Sequence, residues 1–131
     1  MPSTVCHALA VATGFLTYFG TLLIDGLAGG DLARAFGREA VDLAAYWYFA
    51  LPVCYLAAGV LGYLCPVRTW RWSLEMIATH AVCTLLFAGS SLNLWPLALV
   101  FALILALPGI LTAWLGGLLH RFRSTLHEAE R

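Results

Sequence analysis

Residues Met76 to Leu119 read MIATHAVCTLLFAGSSLNLWPLALVFALILALPGILTAWLGGLL, with no Asp, Glu, Lys or Arg and with His80 as the one side chain able to carry charge near neutral pH. A helix in water keeps a charged stripe on one face. A stretch this long without one belongs in hydrocarbon and must cross it at least twice. The rest of the chain agrees. Of 131 residues, 62% are hydrophobic and 11% charged, against roughly 45 to 50% and about 25% in globular proteins. Mean hydropathy is +0.87. The sequence predicts an all-α integral membrane protein with a single transmembrane domain, which leaves little chain for a soluble one.

Four apolar segments can be drawn outward from this run: 5–24, 43–64, about 70–88 and 97–119. Each is near the roughly 20 residues that span ~30 Å of hydrocarbon at 1.5 Å per residue. The third is the shortest and least apolar. Between the third and fourth, residues Gly89 to Pro96 supply a turn, and Pro96 suits the first turn of a new helix, where its missing N–H costs nothing. The N-terminus lacks the basic start and short apolar core of a signal peptide, so the first span is expected to be retained.

All seven basic residues are Arg. Four spans put both termini and the middle loop on one side, with Arg68, Arg71, Arg121, Arg123 and Arg131. The other side holds only Arg34 and Arg38. The positive-inside rule then makes both termini cytoplasmic in an antiparallel four-helix bundle of the bacterial inner (plasma) membrane. The first loop, Asp25 to Asp42, faces out. Its segment 31–41 reads as a short amphipathic helix, with Asp31 as N-cap and Leu32, Ala35 and Phe36 on one face. Trp70, Trp72 and Trp114 are expected at the inner interface, and Tyr46, Trp47, Tyr48 and Trp95 at the outer.

Helices in lipid associate through small residues and hydrogen-bonding side chains. Ala10 with Gly14, and Ala58 with Gly62, form small-xxx-small pairs, and Gly59 widens the second. Thr13, Thr17 and Thr21 recur every fourth residue on one stripe. Each hydroxyl can bond the carbonyl one turn back; the sharper alternative is a ligand or ion path. Pro52 and Pro108 leave the carbonyls of Tyr48 and Ile104 without their helical donors and should kink their helices.

The candidate intramembrane polar site lies on the third span: Glu75, Thr79, His80, Cys83 and Thr84. Glu75, Thr79 and Cys83 form one row, with His80 and Thr84 on the next. Ionisable groups at this depth usually face a bundle interior or a wet cavity. Arg71, four residues before Glu75, is its expected ion-pair partner. A neutral His80 bonded to a neighbouring helix is the ordinary expectation for that residue. Arg68, Trp70, Arg71 and Trp72 alternate guanidinium and indole at the inner interface, a pattern suited to lipid headgroups.

His7 and His80 differ in depth by about 10 Å at 1.5 Å per residue, which disfavours a haem between them. The four cysteines, Cys6, Cys54, Cys65 and Cys83, show no metal-ligand spacing. Cys6 and Cys65 fall near the cytoplasmic face, where thiols stay reduced, so no disulfide is expected between them. No catalytic residues, metal or cofactor are assigned. The expected partners are membrane lipids and a protein partner or second copy, not nucleic acid. The leading expectation is a protein acting through contacts, as an accessory subunit or homo-oligomer. The alternatives are a small transporter or channel subunit using Glu75 and His80, and a membrane enzyme acting on a lipid or quinone at the cytoplasmic face.

Overall fold

The computed structural model describes residues 2–29, 44–87 and 95–129. Their regular structure is helical throughout: α1 (Ser3–Gly29), α2 (Leu51–Leu64, entered through a π-helical turn at Tyr46–Ala50), α3 (Trp70–Phe87) and α4 (Trp95–Ala129). The expected amphipathic helix at 31–41 and most of the turn before Pro96 lie outside the described residues. Three helical stretches, Ser3–Gly29, Tyr46–Leu64 and Leu99–Leu126, are long and apolar enough to cross a membrane. With 18 residues, α3 is about 27 Å long and carries Arg71, Glu75 and His80. It is the polar helix of the set. Pro96 stands in the first turn of α4, and the tail continues that helix to Ala129.

Burial differs from that of a water-soluble bundle at the surface, although Tyr18, Leu22 and Met76 form part of an apolar core. The large apolar side chains Leu16, Leu56, Val60, Leu86, Leu103, Leu107 and Leu111 point outward, while Ala10, Ala50, Ala58, Ala106, Ala113, Thr17, Thr21, Ser73 and His80 are buried. Lipid solvates the outer side chains as well as a protein core would, so small and polar groups can fill the interior.

Contacts fix the directions of the helices. His7, Gly14 and Thr17 of α1 meet Glu75, Met76 and His80 of α3, so these two run the same way. Tyr55, Gly59 and Gly62 of α2 follow Leu105, Thr112 and Ala113 of α4, a second parallel pair. Cys6 beside Cys65, and Thr17 beside Cys54, make α1 and α2 antiparallel. Ser73 on Ala106 and Thr69 against Gly117 do the same for α3 and α4.

The α2–α4 crossing is the tightest. A Cβ at Gly62 would overlap the Ala113 carbonyl, and one at Gly116 the Gly59 carbonyl. Gly14 lies against the Met76 backbone, where a Cβ would stand 2.8 Å from the carbonyl oxygen. Both small-residue faces expected from the sequence are therefore contact faces, with Ala10 and Ala58 fully buried beside them.

Each internal proline is accommodated in its own way. Pro52 removes the donor for the Tyr48 carbonyl, and the chain before it widens into the π turn, in which the Leu51 N–H bonds the Tyr46 carbonyl five residues back. Pro108 lies inside α4. Next to the carbonyl it strands at Ile104, those of Leu105 and Ala106 accept hydroxyls from neighbouring helices, Tyr55 Oη at 2.8 Å and Ser73 Oγ at 2.9 Å.

Replacing Gly62 by Leu should lower stability by about 1 to 3 kcal/mol or more, since the added side chain separates two backbones in contact. Gly14→Leu should act in the same direction. Gly29, with open space around it, is the control, and Gly29→Ala should melt like the parent. Thermal melts in mild detergent give the comparison; equal melting of all three variants would contradict the crossing.

Candidate functional site

Two of the five polar residues of α3, His80 and Glu75, each centre a cluster with neighbouring helices. The deeper is built on His80, 3% exposed. Its Nε2 lies 2.8 Å from Thr17 Oγ1 on α1, and its Nδ1 lies 3.3 Å from the Tyr46 hydroxyl at the head of α2. Cys54 Sγ completes the cluster, 3.3 Å from Thr17 Oγ1. Three helices thus meet on one imidazole. The threonine stripe takes the plain course: Thr13, Thr17 and Thr21 bond the carbonyls of Leu9, Thr13 and Thr17, each at 2.8 Å.

With the Thr17 proton on the Thr13 carbonyl, His80 Nε2–H donates to Thr17 Oγ1, and Nδ1 accepts from the Tyr46 hydroxyl. This neutral tautomer satisfies every group. Among the described residues no buried side-chain nitrogen or oxygen lacks a hydrogen-bond partner.

The second cluster lies where α1 begins and α2 ends. Glu75 does not pair with Arg71. Its carboxylate accepts from His7 Nδ1, at 2.7 Å to Oε1 and 2.9 Å to Oε2, while the Arg71 guanidinium lies 5.9 Å from the Trp70 ring centroid. Counting along one helix finds only neighbours on that helix, and the parallel packing of α1 brings His7 to the depth of Glu75. The His7 ring meets Trp72 edge-on, with centroids 5.0 Å apart.

Trp72, grouped by sequence with the headgroup residues, is 3% exposed and donates Nε1–H to the Cys65 carbonyl at 3.2 Å. Trp70 is 50% exposed. Two residues along a helix are about 200° around it, so these two rings cannot share a face. Tyr46 is a second correction of this kind. It leaves the expected outer belt for the core, whereas Trp47, Tyr48 and Trp114 stay exposed. Arg68, also exposed, closes the α2–α3 turn at φ 56° and accepts the Arg71 N–H at 3.1 Å.

The expectation for Cys6 and Cys65 is overturned as well. The structure joins them in a disulfide, with Cα atoms 6.8 Å apart. The sequence argument rested on compartment alone. Antiparallel helices set the first turn of α1 beside the last residue of α2, inside the span that a disulfide bridges. Cys54 and Cys83 are free, buried thiols. Thr79 bonds back to the Glu75 carbonyl at 2.7 Å, and Thr84 is half-buried.

His80 stands about 7.5 Å above Glu75 along α3, and the Gly14–Met76 backbone contact lies between their levels. Among the described residues no three His, Cys, Asp or Glu side chains gather as a metal site requires. No protein-family model matches the chain, and no curated protein or solved structure shows significant similarity to it.

His80→Ala should cost about 1 to 3 kcal/mol, because it opens a cavity and strips Thr17 and Tyr46 of a partner. Tyr46→Phe, which removes one bond, should cost about 0.6 kcal/mol. Unfolding in mixed micelles reads both; a larger loss for Tyr46→Phe than for His80→Ala would contradict the cluster's construction. In protein purified without reductant, alkylation after denaturation should modify Cys54 and Cys83 only, and all four cysteines after reduction. Modification of all four without reductant would contradict the Cys6–Cys65 bond.

Proposed function

We propose that this is a four-span protein of the bacterial inner membrane, its consecutive helices antiparallel and both termini cytoplasmic, that acts through contacts as an accessory subunit or a homo-oligomer. The observation that carries this reading is the closure of its intramembrane polarity. His80 is held by Thr17 and Tyr46, Glu75 by His7, and the threonines by their own helix. His80, Thr17 and Thr21 face one another and not an open path, which leaves the partly exposed His7–Glu75 pair as the group a substrate would have to meet.

The outer surface fits the same reading. Leu111, Leu115, Leu119, Phe122 and Leu126 follow one face of α4 and are all exposed. The stripe continues past Leu119, where the sequence puts the end of the span, to Leu126, where the apolar helical stretch of the structure ends. A partner helix or a second copy would complete it.

Orientation rests on five Arg against two. It puts the Cys6–Cys65 disulfide on the cytoplasmic side, against the usual preference of disulfides for oxidising compartments, so the orientation needs its own test. Impermeant thiol labelling of single-cysteine variants should leave the tail protected in intact cells and label the first loop. Labelling of the tail from outside would reverse the orientation.

Function is tested by rescue of a deletion phenotype. Glu75→Gln should cost 0 to about 1 kcal/mol, as partly exposed pairs do. Glu75→Gln and His80→Ala should both restore the phenotype when present at wild-type abundance. Failure of both at equal membrane abundance would overturn the contact reading in favour of proton-coupled transport or acid–base chemistry.

A further inference from the structure

Where α2 ends against α4, three donor-bearing side chains converge that neither polar cluster uses. Arg123 Nη1 donates to the Tyr63 hydroxyl at 2.9 Å, and the His120 ring meets the Tyr63 ring edge-on with centroids 5.4 Å apart. The glycine crossing sets this register. Gly116 lies on Gly59, with its missing Cβ 3.0 Å from the Tyr63 amide nitrogen. His120 and Arg123 follow Gly116 at i+4 and i+7, so they return to the same face of α4.

We propose that Tyr63, His120 and Arg123 form a binding site for the phosphodiester of an anionic phospholipid. Because the Tyr63 oxygen accepts from Arg123, its own O–H is free to donate. The guanidinium has four further N–H donors, and the imidazole adds another. A cluster of convergent donors on guanidinium, phenol and imidazole suits a phosphate oxygen.

Depth selects a lipid as the source of that phosphate. The exposed apolar side chains of α4 run without interruption through Trp114, Leu115 and Leu119, and from the next residue the polar His120, Arg121 and Arg123 alternate with Phe122 and Leu126, the mixture of an interface. This places the site at headgroup level, on the reading that α4 crosses the membrane and whichever leaflet it reaches. Charge selects the class of lipid. Thr69 packs on Gly117, and Arg121 lies one turn beyond Gly117, so α3 brings Arg68 and Arg71 to this end of the bundle. A headgroup with its own ammonium is disfavoured in such a field, and an anionic one such as phosphatidylglycerol is favoured.

Native mass spectrometry of the detergent-purified chain with added phosphatidylglycerol or phosphatidylcholine tests the site. The parent should retain phosphatidylglycerol in preference. Arg123→Gln should reduce that retention roughly tenfold, the loss expected for one charge-assisted hydrogen bond. Tyr63→Phe, which keeps the ring and removes the hydroxyl, should weaken it in the same direction. Arg34→Gln in the first loop should not change it.

The three site residues are half-buried or exposed, so the variants should melt with the parent in lipid-free detergent. Equal retention by the parent, Arg123→Gln and Tyr63→Phe overturns the site. Equal retention of the two lipids overturns the headgroup assignment. Displacement of the bound phosphatidylglycerol by millimolar inorganic phosphate overturns the lipid as the ligand, in favour of a free anion.

Discussion

The contact between the backbones of α2 and α4 at Gly59, Gly62, Ala113 and Gly116 is the constraint on which the other interactions depend. Within lipid, hiding a leucine from its surroundings gains almost nothing, because the surroundings are equally apolar. Association has to come from dispersion at short range and from polar groups that find one another. Both need helices closer together than large side chains allow. The outward leucines and the inward alanines, glycines and hydroxyls are two sides of that requirement. The same crossing sets the depth at which Tyr55 reaches the Leu105 carbonyl and Tyr63 reaches Arg123.

The His80 cluster adds specificity that small residues cannot. A face of glycines and alanines can slide by a turn and meet another such face. An imidazole that must reach a threonine on α1 and a phenol at the head of α2 cannot. The π turn before Pro52 contributes here, because the extra residue it accommodates changes the direction of Tyr46 relative to the rest of α2. A sequence that strands a carbonyl thus also helps to aim a side chain. The individual bonds are weak, but each one sits where a shifted register would leave a polar group unpaired in hydrocarbon.

Much of this was legible in the sequence because it follows from a single helix at a time. Three of the four apolar segments, the Ala58–Gly62 and Ala10–Gly14 faces and the back-bonding threonines need only spacing and composition. What was not legible depends on which helix lies beside which. Glu75 has Arg71 four residues before it, yet its partner is His7, 68 positions away in sequence. Trp70 and Trp72 have the same hydropathy, and only the rotation of α3 decides which of them faces lipid. The pairing of Cys6 with Cys65 was read from the compartment, when the geometry of an antiparallel pair was the relevant quantity. For the candidate site, residue types were visible and their groupings were not: Glu75 and His80 take different partners on α1, His7 and Thr17, and Tyr63, His120 and Arg123 carry no shared spacing signal across two helices.

The order of partners has a consequence for how the chain is assembled. Two interfaces, α1 with α3 and α2 with α4, each join one helix from the first half of the chain to one from the second. When α1 and α2 have entered the bilayer, the notch at Gly14 and the hydroxyl of Thr17 still face lipid, and the Gly59–Gly62 surface has nothing to close on. A growing chain would therefore hold an unfinished pair until α3 supplies Met76 and His80, and would reach its closest packing only when α4 is in place. The bundle is interleaved, and neither half can close before the other is made.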